Sequence, residues 1–347
     1  MMLGIIAFGV LSLLVLVFAT TVLKLLFFQT KTKYSNGSEP SSIMLIAKAI
    51  YRIAKRQQGR LYVNANPEGK DMRDTIQADQ SEKISISKYR INKEELHLYK
   101  QVCCCEEVIP LCFLESLFMP SLIILTVNPL FKLSPLGLIH LRQTINVHDS
   151  LERLLNAEFD LESRIKEYRL VSRGVEVDVL ISVITDTGFR IWQGLVTLLS
   201  RNPSSQGSGG NKNMNNRNNG IEPRPDNLVL IDVPSNNGIK YARASGDWNP
   251  HHIYPWSARL LGYRKPIAHG MWILSKTVSS ITRNKVPQNY PLNIEAMFKR
   301  PLFMPGQAII GYSNETKYRD VNKVEFSVAD AITAAPHLIG SLIYNVV

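Results

Sequence analysis

Asp247 and His252 stand five positions apart, with Gly246 before them and Asn249-Pro250 between them. Gly, Asn and Pro favour a sharp loop, which can turn the carboxylate and the imidazole toward one point. Such a pair can exchange protons near neutral pH. Pro266-Ile-Ala-His-Gly-Met271 then opens an apolar helical run. The first turn of a helix offers unpaired N–H groups and the positive end of the backbone dipole, both suited to a developing oxyanion. A base, an acid and an oxyanion donor therefore fall within one short stretch. Taken alone the spacing also arises by chance, and a lone Asp–His pair is more often structural than catalytic.

The longer string narrows the choice. Tyr241, Ser245, Gly246, Asp247, Asn249, Pro250, His252 and Ala258 follow one another in an order that resembles the signature of the MaoC-like, R-specific enoyl-CoA hydratase family (hydratase 2). Gly262 and Pro266 to Met271 resemble that family's next block. Phe298-Lys-Arg-Pro301 and Pro305-Gly306 look like its later strand and turn, and Pro135-Leu-Gly-Leu-Ile-His140 looks like its first hot-dog unit. The resemblance implies an α+β double hot-dog, an antiparallel sheet wrapped around a central helix, twice. It implies Asp247 and His252 as the catalytic pair and the Gly270 N–H as oxyanion donor. Ser245, Asn249 and His269 complete the substrate-binding set, the first two bracing the loop. The implied reaction is reversible hydration of a trans-2-enoyl thioester, on coenzyme A or acyl carrier protein, to the (R)-3-hydroxyacyl thioester. No cofactor and no metal are expected. A hot-dog thioesterase and a non-catalytic acyl-binding subunit are the competing readings.

Two departures from the pattern stand beside His252. His251 replaces an aliphatic residue, and Tyr254 replaces an Asp. His251, His252 and His269 suggest a metal set, but the sequence shows no carboxylate that convincingly completes it. Tyr241, Trp248 and Trp256 are candidates for the core or a tunnel wall. Arg264 and Lys265 are either solvated surface or contacts for carrier phosphates. The first half lacks the motif: Asn128-Pro129 has Thr126 where Asp is needed and Phe131 where His is needed. One site per chain is expected, with the first unit shaping an acyl tunnel or completing the fold.

The elements that must hold this site follow from pattern. Val175–Ile184 and Ile191–Leu199 are β-rich and flank a turn at Asp186-Thr187-Gly188, and Leu122–Val127 also reads as β. Leu228–Val233, Asn293–Arg300, Ala308–Glu315 and Val324–Val328 read as strands, and Gly270 to about Thr282 as a helix. Fourteen of the twenty residues from Arg201 to Gly220 are Asn, Gly or Ser, a composition that cannot offset its ordering entropy by burial. The expected division is an anchor at 1–28, a connector at 29–107, a degenerate hot-dog unit at 108–200, a linker at 201–224 and a catalytic hot-dog unit at 225–347. No close repeat is visible, yet a strand-rich unit on each side of a linker suggests two diverged copies.

Met1 to Leu23 contains no charged residue, and the length matches a helix crossing a bilayer. Lys24, Lys31 and Lys33 follow it, which by the positive-inside tendency places the body in the cytoplasm as a single-pass membrane protein. Ser42–Gln58 is amphipathic and basic, either lying on the membrane or packing on the body. The 347 residues carry 40 Lys and Arg against 29 Asp and Glu, a net charge of +11. No nucleic-acid motif accompanies this excess, so an anionic membrane or a phosphate-bearing thioester are the partners expected, and a homodimer is open. Cys103, Cys104, Cys105 and Cys112 lack zinc spacing and a disulfide framework, and read as reduced, partly buried thiols.

Overall fold

A computed structural model describes residues 33–35, 38, 59–61, 75–77, 83–202, 225–283 and 290–345. The expected anchor, the Ser42–Gln58 segment and nearly all of the Asn/Gly/Ser-rich stretch lie outside these residues. Among the described residues no helix is long and apolar enough to cross a membrane.

The strands are β1 (Lys33–Ser35), β2 (Thr75–Gln77), β3 (Lys83–Tyr89), β4 (Leu138–Val147), β5 (Phe159–Val171), β6 (Gly174–Thr185), β7 (Arg190–Arg201), β8 (Asn227–Val233), β9 (Leu292–Phe298), β10 (Gly306–Tyr312), β11 (Thr316–Tyr318), β12 (Val321–Asp330) and β13 (Pro336–Asn345). The helices are α1 (Lys93–Cys103), α2 (Phe113–Ser116), α3 (Met119–Val127), α4 (Asn237–Ser245), α5 (Pro255–Leu260) and α6 (Gly270–Thr282). All strands join one sheet, whose main path runs β1-β3-β5-β6-β7-β4-β9-β13-β12-β10-β8. The path contains the same motif twice. In the first half β3, β4, β5, β6 and β7 lie in the order first, third, fourth, fifth, second. In the second half β8, β9, β10, β12 and β13 repeat that order in mirror sense. Each half inserts its helices between its first and second strands. This is the hot-dog arrangement, present twice. The halves meet where β4 pairs antiparallel with β9, from Arg142 opposite Met297 to Val147 opposite Leu292.

Local chemistry explains the elements. β5 alternates buried and exposed residues over its first half, the mark of a strand with one face on the core. Gly188 takes the left-handed turn (φ +81°) that closes the β6–β7 hairpin. Asn92 caps α1 by accepting hydrogen bonds from the Glu94 and Glu95 amides, and the helix ends at Cys104 in the left-handed region. Within α6 the hydroxyls of Thr277, Ser280 and Thr282 donate to the carbonyl four residues back. Polar side chains are thereby satisfied inside a mostly buried helix.

Leu122–Val127, expected as a strand, is the second half of helix α3. A short, wholly apolar run has no period to separate a buried helix from a buried strand. Pro120 in the first turn is the only local sign of the helix. Lys83–Tyr89 and Lys93–Cys103, within the expected connector, are strand β3 and helix α1 of the folded body. α1 bridges the halves. It packs on α4 and α6, Tyr99 lies 5.8 Å from the Tyr241 ring, and the Trp272 indole donates to the Val102 carbonyl at 3.0 Å. The four cysteines are free, and all but Cys104 are buried.

Candidate active site

Helix α4 delivers the reactive loop. It ends at Gly246 in a left-handed conformation (φ +74°), where a residue with a Cβ is strained. Ser245 fastens the exit: its hydroxyl donates to the Tyr241 carbonyl at 2.8 Å and accepts from the Asp247 amide at 3.3 Å. The Asp247 carboxylate then accepts through Oδ1 from the backbone and the side-chain amide of Asn249, at 3.1 and 2.8 Å. Both donors hold one oxygen, so Oδ2 is the atom left to act. Asp247 is about a fifth exposed, enough to meet a small molecule from outside.

His252 sits on a short 3-10 turn, Pro250–His252, and is buried. Burial, with the neighbouring imidazoles adding to it, pushes this group well below the ordinary histidine range, so the ring is neutral at physiological pH. Its Nδ1 donates to the Ile267 carbonyl at 2.7 Å, which fixes the tautomer and leaves Nε2 with a free lone pair. The turn is clamped on three sides. Ser257 donates to the Pro250 carbonyl at 2.7 Å, and the Ile267 amide donates to the His251 carbonyl at 3.1 Å. On the third side helix α4 lies so close that a Cβ on Gly238 would stand 1.8 Å from the His252 carbonyl oxygen. Gly238 was not singled out from sequence, because its partner is fourteen residues away and the requirement is one of space.

His269 is the residue before α6 and is almost fully buried. Its ring stacks on His252 with centroids 3.7 Å apart. Its Nε2 donates to the Asp247 carbonyl at 3.0 Å and lies 3.9 Å from Asp247 Oδ2. Burial lowers its pKa to about 3, so it too is neutral. Gly270 follows as the first residue of α6, where backbone amides lack helical partners. A Cβ there would stand 2.8 Å from the Phe298 ring, so glycine lets the helix end pack tightly.

The carboxylate missing from the sequence-based metal set is Asp247. It offers one ligand atom within 4.8 Å of one on His252 and one on His269, while His251 stands outside the trio. The His269 nitrogen nearest Asp247 already donates to a backbone carbonyl. The other ring nitrogen of His269, Nδ1, is buried and has no hydrogen-bond partner among the described residues. The surrounding expectations divide. Tyr241 is buried, but Trp248 and Trp256, expected in the core or a tunnel wall, are 48% and 63% exposed. Arg264 lies over the Phe303 ring at 4.4 Å, and Lys265 is exposed.

The first half also reaches the site. Met119, at the start of α3, lies 3.6 Å from where a side chain on Gly246 would begin. Glu115 on α2 is buried, and burial together with the charge of Asp247 raises its pKa to about 8. It is therefore a neutral carboxyl at physiological pH. His140 on β4 packs its ring 4.6 Å from Phe298, and burial lowers its pKa to about 4. No sequence signal marks Glu115, whose surroundings are assembled by the fold.

Glu115 gives a signed expectation. The folded state holds its proton up to about pH 8, whereas an unfolded glutamate releases it near 4.5. Its contribution to stability is complete below about 4.5 and has been lost once the pH passes 8. The histidines act in the opposite sense and below their ordinary pKa of about 6.5. Between pH 6.5 and 8 the wild-type protein is expected to lose stability at up to about 1.4 kcal/mol per pH unit from this group. Glu115→Gln is expected to remove that slope. Urea midpoints across the interval measure it, and parallel slopes in the two proteins would contradict the assignment.

This chain is similar to several known proteins. The family model described as "MaoC like domain" matches residues 219–334. The peroxisomal multifunctional enzyme type 2 of Mus musculus is 30% identical over 108 residues, which are 30% of this chain and 14% of the mouse protein. The 3-hydroxyacyl-thioester dehydratase X of Mycobacterium tuberculosis is 27% identical over 215 residues, covering 58% of this chain and 68% of that protein. The crystal structure of HtdX from M. tuberculosis superposes with a TM-score of 0.61 at 20% identity, over 76% of this chain and all of that one. The Drosophila melanogaster peroxisomal multifunctional enzyme type 2 gives 0.57 at 16% identity, over 77% of this chain and 49% of that one. These two structures establish the shared fold.

Proposed function

We propose that the protein, whose residues 219–334 match the family model described as "MaoC like domain", reversibly hydrates trans-2-enoyl thioesters to (R)-3-hydroxyacyl thioesters in fatty-acyl metabolism. The observation that carries the reading is that a carboxylate oxygen of Asp247 lies within 4.8 Å of a ring nitrogen of His252, beside His269, directly after which α6 opens at Gly270. Water attacks the β-carbon of the enoyl group. Asp247 takes one of its protons, while His252 Nε2 accepts a hydrogen bond from the same water and fixes its approach. Electron density moves onto the thioester oxygen, where the Gly270 amide donates. A proton is returned to the α-carbon as the carbonyl reforms, so that H and OH have been added across the double bond. A neutral His252 suits this task, because a cationic ring has no lone pair to offer the water.

The relative named for thioester dehydration supports the substrate class. The test is loss of enoyl-thioester absorbance with the full chain, using crotonyl-CoA, a longer trans-2-enoyl-CoA and the matching carrier-protein thioesters. Formation of the R product that His252→Ala abolishes is the expected result. A folded protein inert on every thioester removes the hydratase reading, and free thiol released without hydration replaces it with a thioesterase.

We further propose that the uncharged run from Met1 to Leu23 anchors the protein in a membrane with the body on the cytoplasmic side. The support is its length and the lysines that follow it. Resistance to carbonate extraction, with the body open to protease from the cytoplasmic face, is the expected behaviour. Release into the soluble fraction would refute it.

A further inference from the structure

The residues around the reactive loop form a surface that the chemistry above does not use. Trp248, Tyr254, Trp256 and Leu260 are 48%, 48%, 63% and 78% exposed, although all four are large and apolar or aromatic. Their exposure is built in. The Tyr254 and Trp256 rings are stacked with centroids 6.3 Å apart and planes 9° from parallel. Trp256 and Leu260 lie four residues apart on α5 and so share one helical face. The other face is buried through Ser257 and Ala258 and is tied to the reactive loop by the Ser257–Pro250 bond.

The segment that carries these side chains is charged almost wholly with one sign. Between Pro234 and Gly270 the cations are Lys240, Arg243, Arg259, Arg264 and Lys265, and Asp247 is the only carboxylate. All five cations are exposed, and none forms an ion pair among the described residues. Indole and phenol rings favour the headgroup level of a bilayer, and unpaired Lys and Arg favour its anionic surface. Leu260, the most exposed of the four, is an aliphatic group that acyl chains accommodate and nucleobases do not.

We infer that this aromatic and cationic tip docks the catalytic half onto an anionic lipid surface, with Trp256 and Leu260 entering the headgroup–acyl boundary. The inference does not depend on the hydratase reading. It places Asp247, one residue from Trp248, beside the bilayer rather than facing open water.

The chain contains its own reporters. Of its four tryptophans, Trp192 and Trp272 are buried and Trp248 and Trp256 are exposed. The full chain is reconstituted in nanodiscs of phosphatidylcholine with or without phosphatidylserine, with brominated acyl chains as quenchers. The expected result is a blue shift and quenching of part of the emission in the phosphatidylserine discs, both weaker in phosphatidylcholine alone. Combined Arg259→Glu, Arg264→Glu and Lys265→Glu is expected to weaken the quenching response to phosphatidylserine on the order of tenfold or more. The wild-type lipid comparison needs no variant and stands even if that triple variant does not fold. Unquenched emission, equal quenching in both lipids, or displacement of the tip by a single-stranded oligonucleotide would each overturn the inference.

Discussion

Asp247→Asn is expected to lower hydration of an enoyl thioester by at least ~two to four orders of magnitude while leaving the fold intact. The asparagine oxygen can still accept the two hydrogen bonds that Asn249 gives to Oδ1, and the Ser245 bracket involves the backbone of residue 247. Only the proton-accepting capacity of the second oxygen disappears. The thermal midpoint should therefore stay within the few degrees expected of a change of ~1 kcal/mol or less. Steady-state rates and a melting curve on one preparation decide the matter. Wild-type turnover from the variant would remove Asp247 from the chemistry, whereas an inactive variant with an unchanged midpoint supports it.

Gly238→Ala should produce the second large effect, by a steric route. The new methyl would begin 1.8 Å from the His252 carbonyl oxygen, so either α4 or the 3-10 turn has to retreat by about an ångström. Displacement of a reacting group by that much can cost on the order of a hundredfold in rate, and the forced shift costs roughly 1–3 kcal/mol of stability. Gly262→Ala is the informative contrast. Its backbone is left-handed (φ +85°), unlike that of Gly238 within helix α4, and nothing lies within 4 Å of its added methyl. That variant is expected to lose about 1 kcal/mol to backbone strain and to keep its activity per folded molecule. An equal kinetic loss in Gly262→Ala, whose methyl crowds nothing, would argue that a general loss of stability, rather than the position of His252, lowers the rate.

The parts of the site that could be read from sequence are those written in consecutive residues. The left-handed Gly246, the Asn249 clamp on Asp247 and the helix opening at Gly270 each follow from residue type and near neighbours. The strands of the second half were similarly visible, because alternation over six or seven residues is a local pattern. What escaped depends on contact between distant segments. Gly238 matters because of a carbonyl fourteen positions on, and Glu115 because the fold buries it beside Asp247. Helix α3 escaped for the opposite reason, since uniform hydrophobicity erases the period that would distinguish it. The exposed tryptophans escaped because burial is the ordinary fate of that side chain, and nothing in the string reveals that the loop turns them outward.

The seam between β4 and β9 has a kinetic corollary. Glu115, Met119 and His140 support the site from the other half of the same polypeptide, across a junction of two strand edges. Their encounter with the reactive loop is unimolecular, and its effective concentration is set by the chain rather than by the solution. Specific activity should thus stay constant through dilutions that would dissolve the same site if two separate subunits had to meet to build it.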